Sequence, residues 1–200
     1  MKKVMLMVGV IAAAVIASPQ ATASFDGNVN FFLGQKSLDS DDWQPIEDQL
    51  EFGAVMSFGA DDWPVRIAAD VLTSVEEKDV NGFGGNVTLT GVTFEVDGGV
   101  RKIWKSGKNK NVLPYLGGGI GVIGGALELD NGFTKIDADD ATLGFWADTG
   151  VFFRLGSNFN IGVDVRYSTA KVDFDFGAGN IARDINVGGL HYGMLLGFGW

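Results

Sequence analysis

The protein has 200 residues, 25 Asp and Glu against 15 Lys and Arg, and no cysteine. An acidic balance argues against nucleic acid as a partner, and a chain without cysteine has no disulfide staples, no thiolate chemistry and no residue for a lipoprotein anchor. Its 30 glycines accompany 15 phenylalanines and 5 tryptophans without any G-x-y period, which describes a folded, aromatic-rich chain rather than a low-complexity one.

MKK opens the chain with two positive charges, and Val4 to Ile16 is apolar but shorter than the roughly 20 residues a spanning helix needs. SPQATA follows, with Ala21 and Ala23 in an A-x-A arrangement, so residues 1–23 are expected to be a cleaved secretory signal and 24–200 one exported domain.

Beyond that segment no sustained helical period occurs; alternation with period two recurs instead. Eight such segments lie near 27–36, 47–59, 64–75, 87–104, 113–129, 142–154, 159–171 and 187–200. Most have about ten residues, the length of a tilted strand crossing a bilayer, whereas soluble strands average about five or six. The connections alternate between long (SLDSDDWQPIE, EEKDVNGFGGN, DNGFTKIDADDA, DFDFGAGNIARDIN) and short (ADDWP, SGKNKNV, LGSN). Outer-membrane barrels pair short periplasmic turns with long outer loops in this way.

Each segment has an apolar face, such as Phe159, Ile161, Val163, Val165 and Tyr167, and a charged one. The charged face carries Glu51, Arg66, Asp70, Glu95, Asp97, Arg101, Asp148, Arg154, Asp164 and Arg166, with Lys36 placed nearer the rim. Alternation alone does not say which face is inside. The glycines decide it: Gly53, Gly91, Gly99, Gly144, Gly150, Gly162, Gly193 and Gly197 share the charged face. A water-facing surface has no need of them, whereas a narrow lumen crowded with long side chains does. The charged face is therefore expected inside, its groups paired across strands, and the apolar face against lipid.

The last segment, GLHYGMLLGFGW, places Tyr192, Met194, Leu196, Phe198 and Trp200 on the lipid face, with the indole at the membrane interface. GMLLGFGW resembles the C-terminal signature of bacterial outer-membrane β-barrels, and the whole chain is similar to small OmpA-like and OmpX-like barrels. That resemblance implies recognition of the last strand by the barrel-assembly machinery. It carries no function-specific motif.

Three further patterns bear on chemistry. His191 is the single histidine and lies on the inward face within reach of Ser168, so a Ser–His pair is weighed. The H-x-S pattern of outer-membrane deacylases is absent, because His191 is followed by Tyr192 and Gly193. The outer loops are acidic at Asp39, Asp41, Asp42, Glu76, Glu77, Asp79, Asp137, Asp139, Asp140, Asp173 and Asp175, and the opposite turn is basic at Lys105, Lys108 and Lys110. DSDD and DADD supply oxygen ligands of the kind Ca²⁺ and Mg²⁺ prefer but lack the remainder of an EF-hand loop. GFGGN at 82–86 lacks the lysine and helix of a phosphate loop.

The expectation is an all-β, eight-stranded, antiparallel closed transmembrane barrel in a Gram-negative outer membrane, monomeric, in contact with lipid and lipopolysaccharide, and without cofactor, metal or catalytic residues. Its expected role is structural, adhesive or surface-protective. A narrow pore or hydrophobic-molecule conduit and a lipid A-modifying enzyme are the alternatives.

Overall fold

The computed structural model describes residues 25–60, 62–82, 85–106, 111–177 and 179–200. The expected signal segment, Lys108, Lys110 and the tip of GFGGN lie outside the described residues. Eight strands form the barrel: β1 (Phe25–Ser37), β2 (Asp48–Ala60), β3 (Arg66–Gly82), β4 (Gly85–Ile103), β5 (Val112–Asp130), β6 (Lys135–Leu155), β7 (Phe159–Thr169) and β10 (Gly189–Gly199). They pair antiparallel around a closed ring in the order β1–β10–β7–β6–β5–β4–β3–β2, so no edge is left unpaired. All eight expected strands are present and the side-chain parity is as expected. Leu143 and Phe145 point outward at 74% and 68% exposure, while Asp148 and Trp146, on the other parity of the same strand, are buried.

The ring is lopsided, and here the structure departs from the sequence reading. β3 to β6 have 17 to 21 residues, against 11 to 13 for β1, β2, β7 and β10. The extra length rises at the end away from the short turns. Glu76, Glu77, Asp79, Asp137, Asp139 and Asp140 therefore sit on strands rather than in loops. A polar stretch looks like a loop in sequence, but β3 and β4 stay hydrogen-bonded in register up to Gly82 opposite Gly85, and β5 and β6 up to Asp130 opposite Lys135. The β5–β6 turn is held by side-chain caps. Asp130 accepts from the Gly132 amide and Asn131 from those of Phe133 and Thr134, while Gly132 takes a left-handed φ of 81° that suits glycine.

Two elements have no counterpart in the sequence reading. A one-turn helix α1 (Ser40–Trp43), capped by the Asp39 carboxylate, lies in the first long connection, and a hairpin of β8 (Lys171–Asp175) and β9 (Ile181–Asn186) lies in the last. Both fold over the barrel mouth. Leu38, Trp43, Ile46, Ala170, Val172, Phe174 and Val187 pack with Ile123 and Ala138 of the tall strands into a hydrophobic core outside the apolar belt. Ties from the Trp43 indole to the Asn186 carbonyl (2.8 Å) and from the Asn186 amide to Asp42 (2.9 Å) join helix to hairpin.

Candidate functional site: the filled lumen and its cap

Beneath the cap lies a polar layer. Lys36, one residue from the outer end of β1, is fully buried under the cap. From β1 it crosses to β4, donating to Thr93 (2.9 Å) and Glu95 (2.8 Å), and to the Val187 carbonyl of the cap (2.8 Å). A lysine taken wholly out of water is tolerated only when its ammonium protons find acceptors, and here three do. Ser74 bonds Gln49 and Thr93 in the same layer.

Ser168, His191 and Glu51 also meet there. The Ser168 hydroxyl is 2.9 Å from His191 Nε2, and His191 Nδ1 is 2.9 Å from Glu51. The distances are those of a nucleophile–base–carboxylate relay, but the hydrogen-bond accounting opposes one. Ser168 Oγ also lies 2.7 Å from Glu95 Oε1, an acceptor-only oxygen when ionised, which takes the single hydroxyl proton. A serine whose proton goes to a carboxylate is not activated by the imidazole. All four side chains are at most 1% exposed beneath the cap, away from any lipid-facing surface.

The charge centre follows. Arg101 of β4 donates to Asp70 (2.8 Å), Asp148, the Met56 carbonyl (3.1 Å) and Ser57 (3.0 Å). Arg166 of β7 pairs with Asp97 (2.6 Å) and Asp70. Both guanidinium groups lie against the Trp146 ring, 5.6 and 4.7 Å from its centroid, close enough for cation–π attraction. Asp164 has a different partner, the Tyr115 hydroxyl. Gly99 faces Trp146 at this level, where a Cβ would come within 2.7 Å of the indole; the glycine makes the space that the luminal side chain fills.

A third group is apolar: Phe32, Val55, Leu72, Leu113, Phe152 and Leu195 pack with Tyr115, whose ring stacks on Phe152 at 4.6 Å. Arg66 and Arg154, expected within the charge network, lie apart from it at the short-turn end. Arg66 pairs with Asp26 (2.6 Å) and Arg154 reaches Asn160 (3.3 Å). Both sit at the strand ends beside the short turns, a height that parity alone does not report. Lys105 joins the Asp26 pair at 3.3 Å.

Thus the structure brings together eight of the ten charges predicted from parity (Glu51, Asp70, Glu95, Asp97, Arg101, Asp148, Asp164 and Arg166) and separates two. The sequence reading missed Lys36 as a cross-lumen tie, and Trp146 and Tyr115 as luminal aromatics. The last two share inward parity with Asp148 and Gly117, so the period-two signal was available for them. The terminal row Tyr192, Met194, Leu196, Phe198 and Trp200 points outward, each residue at least 42% exposed. Among the described residues no three His, Asp or Glu side chains converge to hold a metal ion, DSDD and DADD included.

A closed antiparallel ring with an apolar outer belt and charges inside is a transmembrane β-barrel of the outer-membrane type, since closure satisfies every strand in lipid. Small outer-membrane barrels of known structure share the fold. OprG from Pseudomonas aeruginosa is 14% identical, aligned over 92% of this chain and 99% of that chain, with a TM-score of 0.60. Ail, the attachment invasion locus protein of Yersinia pestis, in complex with the heparin analogue sucrose octasulfate, is 14% identical over 88% of this chain and 97% of that chain, with a TM-score of 0.56. No protein-family model and no curated protein matches the sequence.

Proposed function

We propose that this protein is a sealed, non-enzymatic barrel of a Gram-negative outer membrane whose working part is the acidic structure it raises above the lipid, in an adhesive or surface-protective role. The observation that carries this reading is the filling of the lumen: an apolar cap, a polar layer, a charge centre and a second apolar cluster occupy it. An eight-stranded ring is just wide enough for side chains to fill, which leaves a conduit no room. The outward face of the tall strands carries Glu77 and Asp79 on β3, Glu128 and Asp130 on β5, and Asp137 and Asp139 on β6, above the apolar belt. In this reading lipid and lipopolysaccharide surround a monomeric belt, and the outward row of β10 is what the barrel-assembly machinery recognises.

Planar-bilayer recordings test the seal, with no steady conductance expected. The outer role is tested on cells expressing wild type or a variant with Glu77→Gln, Asp79→Asn, Glu128→Gln and Asp130→Asn. Wild-type cells are expected to adhere to a cationic surface and the variant to lose that adhesion at equal surface abundance. Steady conductance, or unchanged adhesion, would replace this reading with the transport one or leave the acidic face without a role.

A further inference from the structure

The buried lumen holds more acid than base. Glu51, Asp70, Glu95, Asp97, Asp148 and Asp164 share it with Lys36, Arg101, Arg166 and His191, and every one of these residues is at most 4% exposed. That is six carboxylates against three permanent cations and one imidazole. Ionised carboxylates without counter-charge are too costly to keep in a water-poor interior, and such groups become neutral instead.

The hydrogen bonds show where the neutral groups sit. Asp70 and Asp148 each touch both arginines. Glu95 has Lys36, and Glu51 has His191. Asp164 makes no ion pair among the described residues, its partner being the Tyr115 hydroxyl of β5; the nearby charges are Asp148 of β6, Arg166 of its own strand and Arg101 of β4. Asp97 gives only Oδ2 to Arg166 of β7. Its Oδ1 is buried without a partner, as is Oε2 of Glu95, the next inward position on β4. Asp70 of β3 stands directly across the ladder from Asp97, and Lys36 of β1 lies near. A proton on Asp97 supplies the donor that this pair of orphaned acceptors lacks.

We propose that the folded barrel takes up at least two protons from the medium and keeps them on Asp97 and Asp164, so that the luminal network is complete only in its proton-loaded form. Each carboxylate accepts one proton from water as the strands close, and releases it when they open. The inference rests on the sealed lumen, since an open one would let water and salt screen the excess charge.

The sign of the linkage follows from the count. The folded state binds more protons than the unfolded one, so stability falls as pH rises. Between about pH 7 and about pH 9 the unfolded chain has ionised carboxylates and neutral histidine, so the slope reports protons held by the folded interior. Two such protons raise the unfolding constant by up to about a hundredfold per pH unit.

The test uses the full barrel refolded in lipid vesicles, with urea unfolding across that range, for wild type and Asp97→Asn/Asp164→Asn. The wild-type midpoint is expected to fall as pH rises and that of the double variant to fall markedly less, an equal fall in both overturning the proposal. Should the double variant not fold, infrared spectra of the wild type and each single variant decide. A carbonyl band of protonated carboxylic acid is expected near neutral pH in wild type, diminished by either substitution. A pH-independent wild-type midpoint that moves with Na⁺ or Ca²⁺ would assign the neutralising cation to metal and overturn the proposal, as would a spectrum without the carboxylic acid band. Conductance of the same preparation separates the two readings: a flat pH response in a closed barrel sinks the proton loading alone, and in a conducting barrel both.

Discussion

Arg166 and Asp70 form an ion pair across the full width of the barrel, because β7 and β3 stand diametrically opposite in the ring. One contact thus ties together walls separated by three strands on either side. Asp70 also accepts from Arg101, and Arg166 from its side holds Asp97, so the pair is the centre of a network rather than an isolated bridge.

Removing the arginine tests that network. Arg166→Ala is expected to destabilise the barrel by about 3–5 kcal/mol, the usual consequence of leaving a buried counter-charge alone. Adding Asp70→Asn to the same chain removes one of the stranded carboxylates and should recover part of the loss. Urea unfolding of the three proteins in vesicles checks both expectations; a single variant as stable as wild type would mean that the network contributes nothing to the fold.

The outward face gives a second expectation. Val163 lies mid-strand in β7 at 49% exposure on the apolar side. Val163→Arg should cost about 2–4 kcal/mol in a bilayer, the range for arginine near the midplane. Ser157→Arg, in the exposed β6–β7 turn, should be close to neutral. Equal unfolding midpoints in vesicles would remove the lipid-facing assignment.

Orientation can be read with tags. Phe133, at the β5–β6 tip, is 99% exposed at the tall end, and the Gly156 turn is at the opposite end. A tag inserted after Gly132 should be labelled on intact cells, and one after Gly156 only once the outer membrane is permeabilised. The reverse result would invert the protein in the membrane.

The cap should open without opening the lumen. Trp43→Ala removes the largest buried side chain of the outer core and its bond to Asn186. Large-to-small changes of this kind cost about 3–5 kcal/mol in a packed site, so the hairpin should loosen and trypsin should reach Lys171 and Arg183 faster. Conductance should stay at the wild-type level, because the charge centre and the Phe32–Tyr115–Phe152 layer lie below and remain intact. A conducting Trp43→Ala barrel would show that the cap alone was the seal.

Strand number, the inward or outward sense of each residue and the closure of the ring are properties the sequence by itself determined. They depend on the period-two pattern of residues such as Phe159 to Tyr167 and on glycines confined to one parity, and that periodicity is local. Height along the barrel and partnership across it were decided only by the tertiary structure. Arg66 and Arg166 have the same parity, yet one ends beside the short turns with Asp26 and the other at the centre with Asp70, because strand stagger sets a residue's level and no local pattern records stagger. Lys36 stood near a strand end in sequence and proved fully buried, since the folded hairpin and α1 cover the mouth above it. Those covering elements were themselves hidden in sequence: Trp43 and Phe174 stand next to acidic residues, and they become a core only where connections more than a hundred residues apart meet over the same opening.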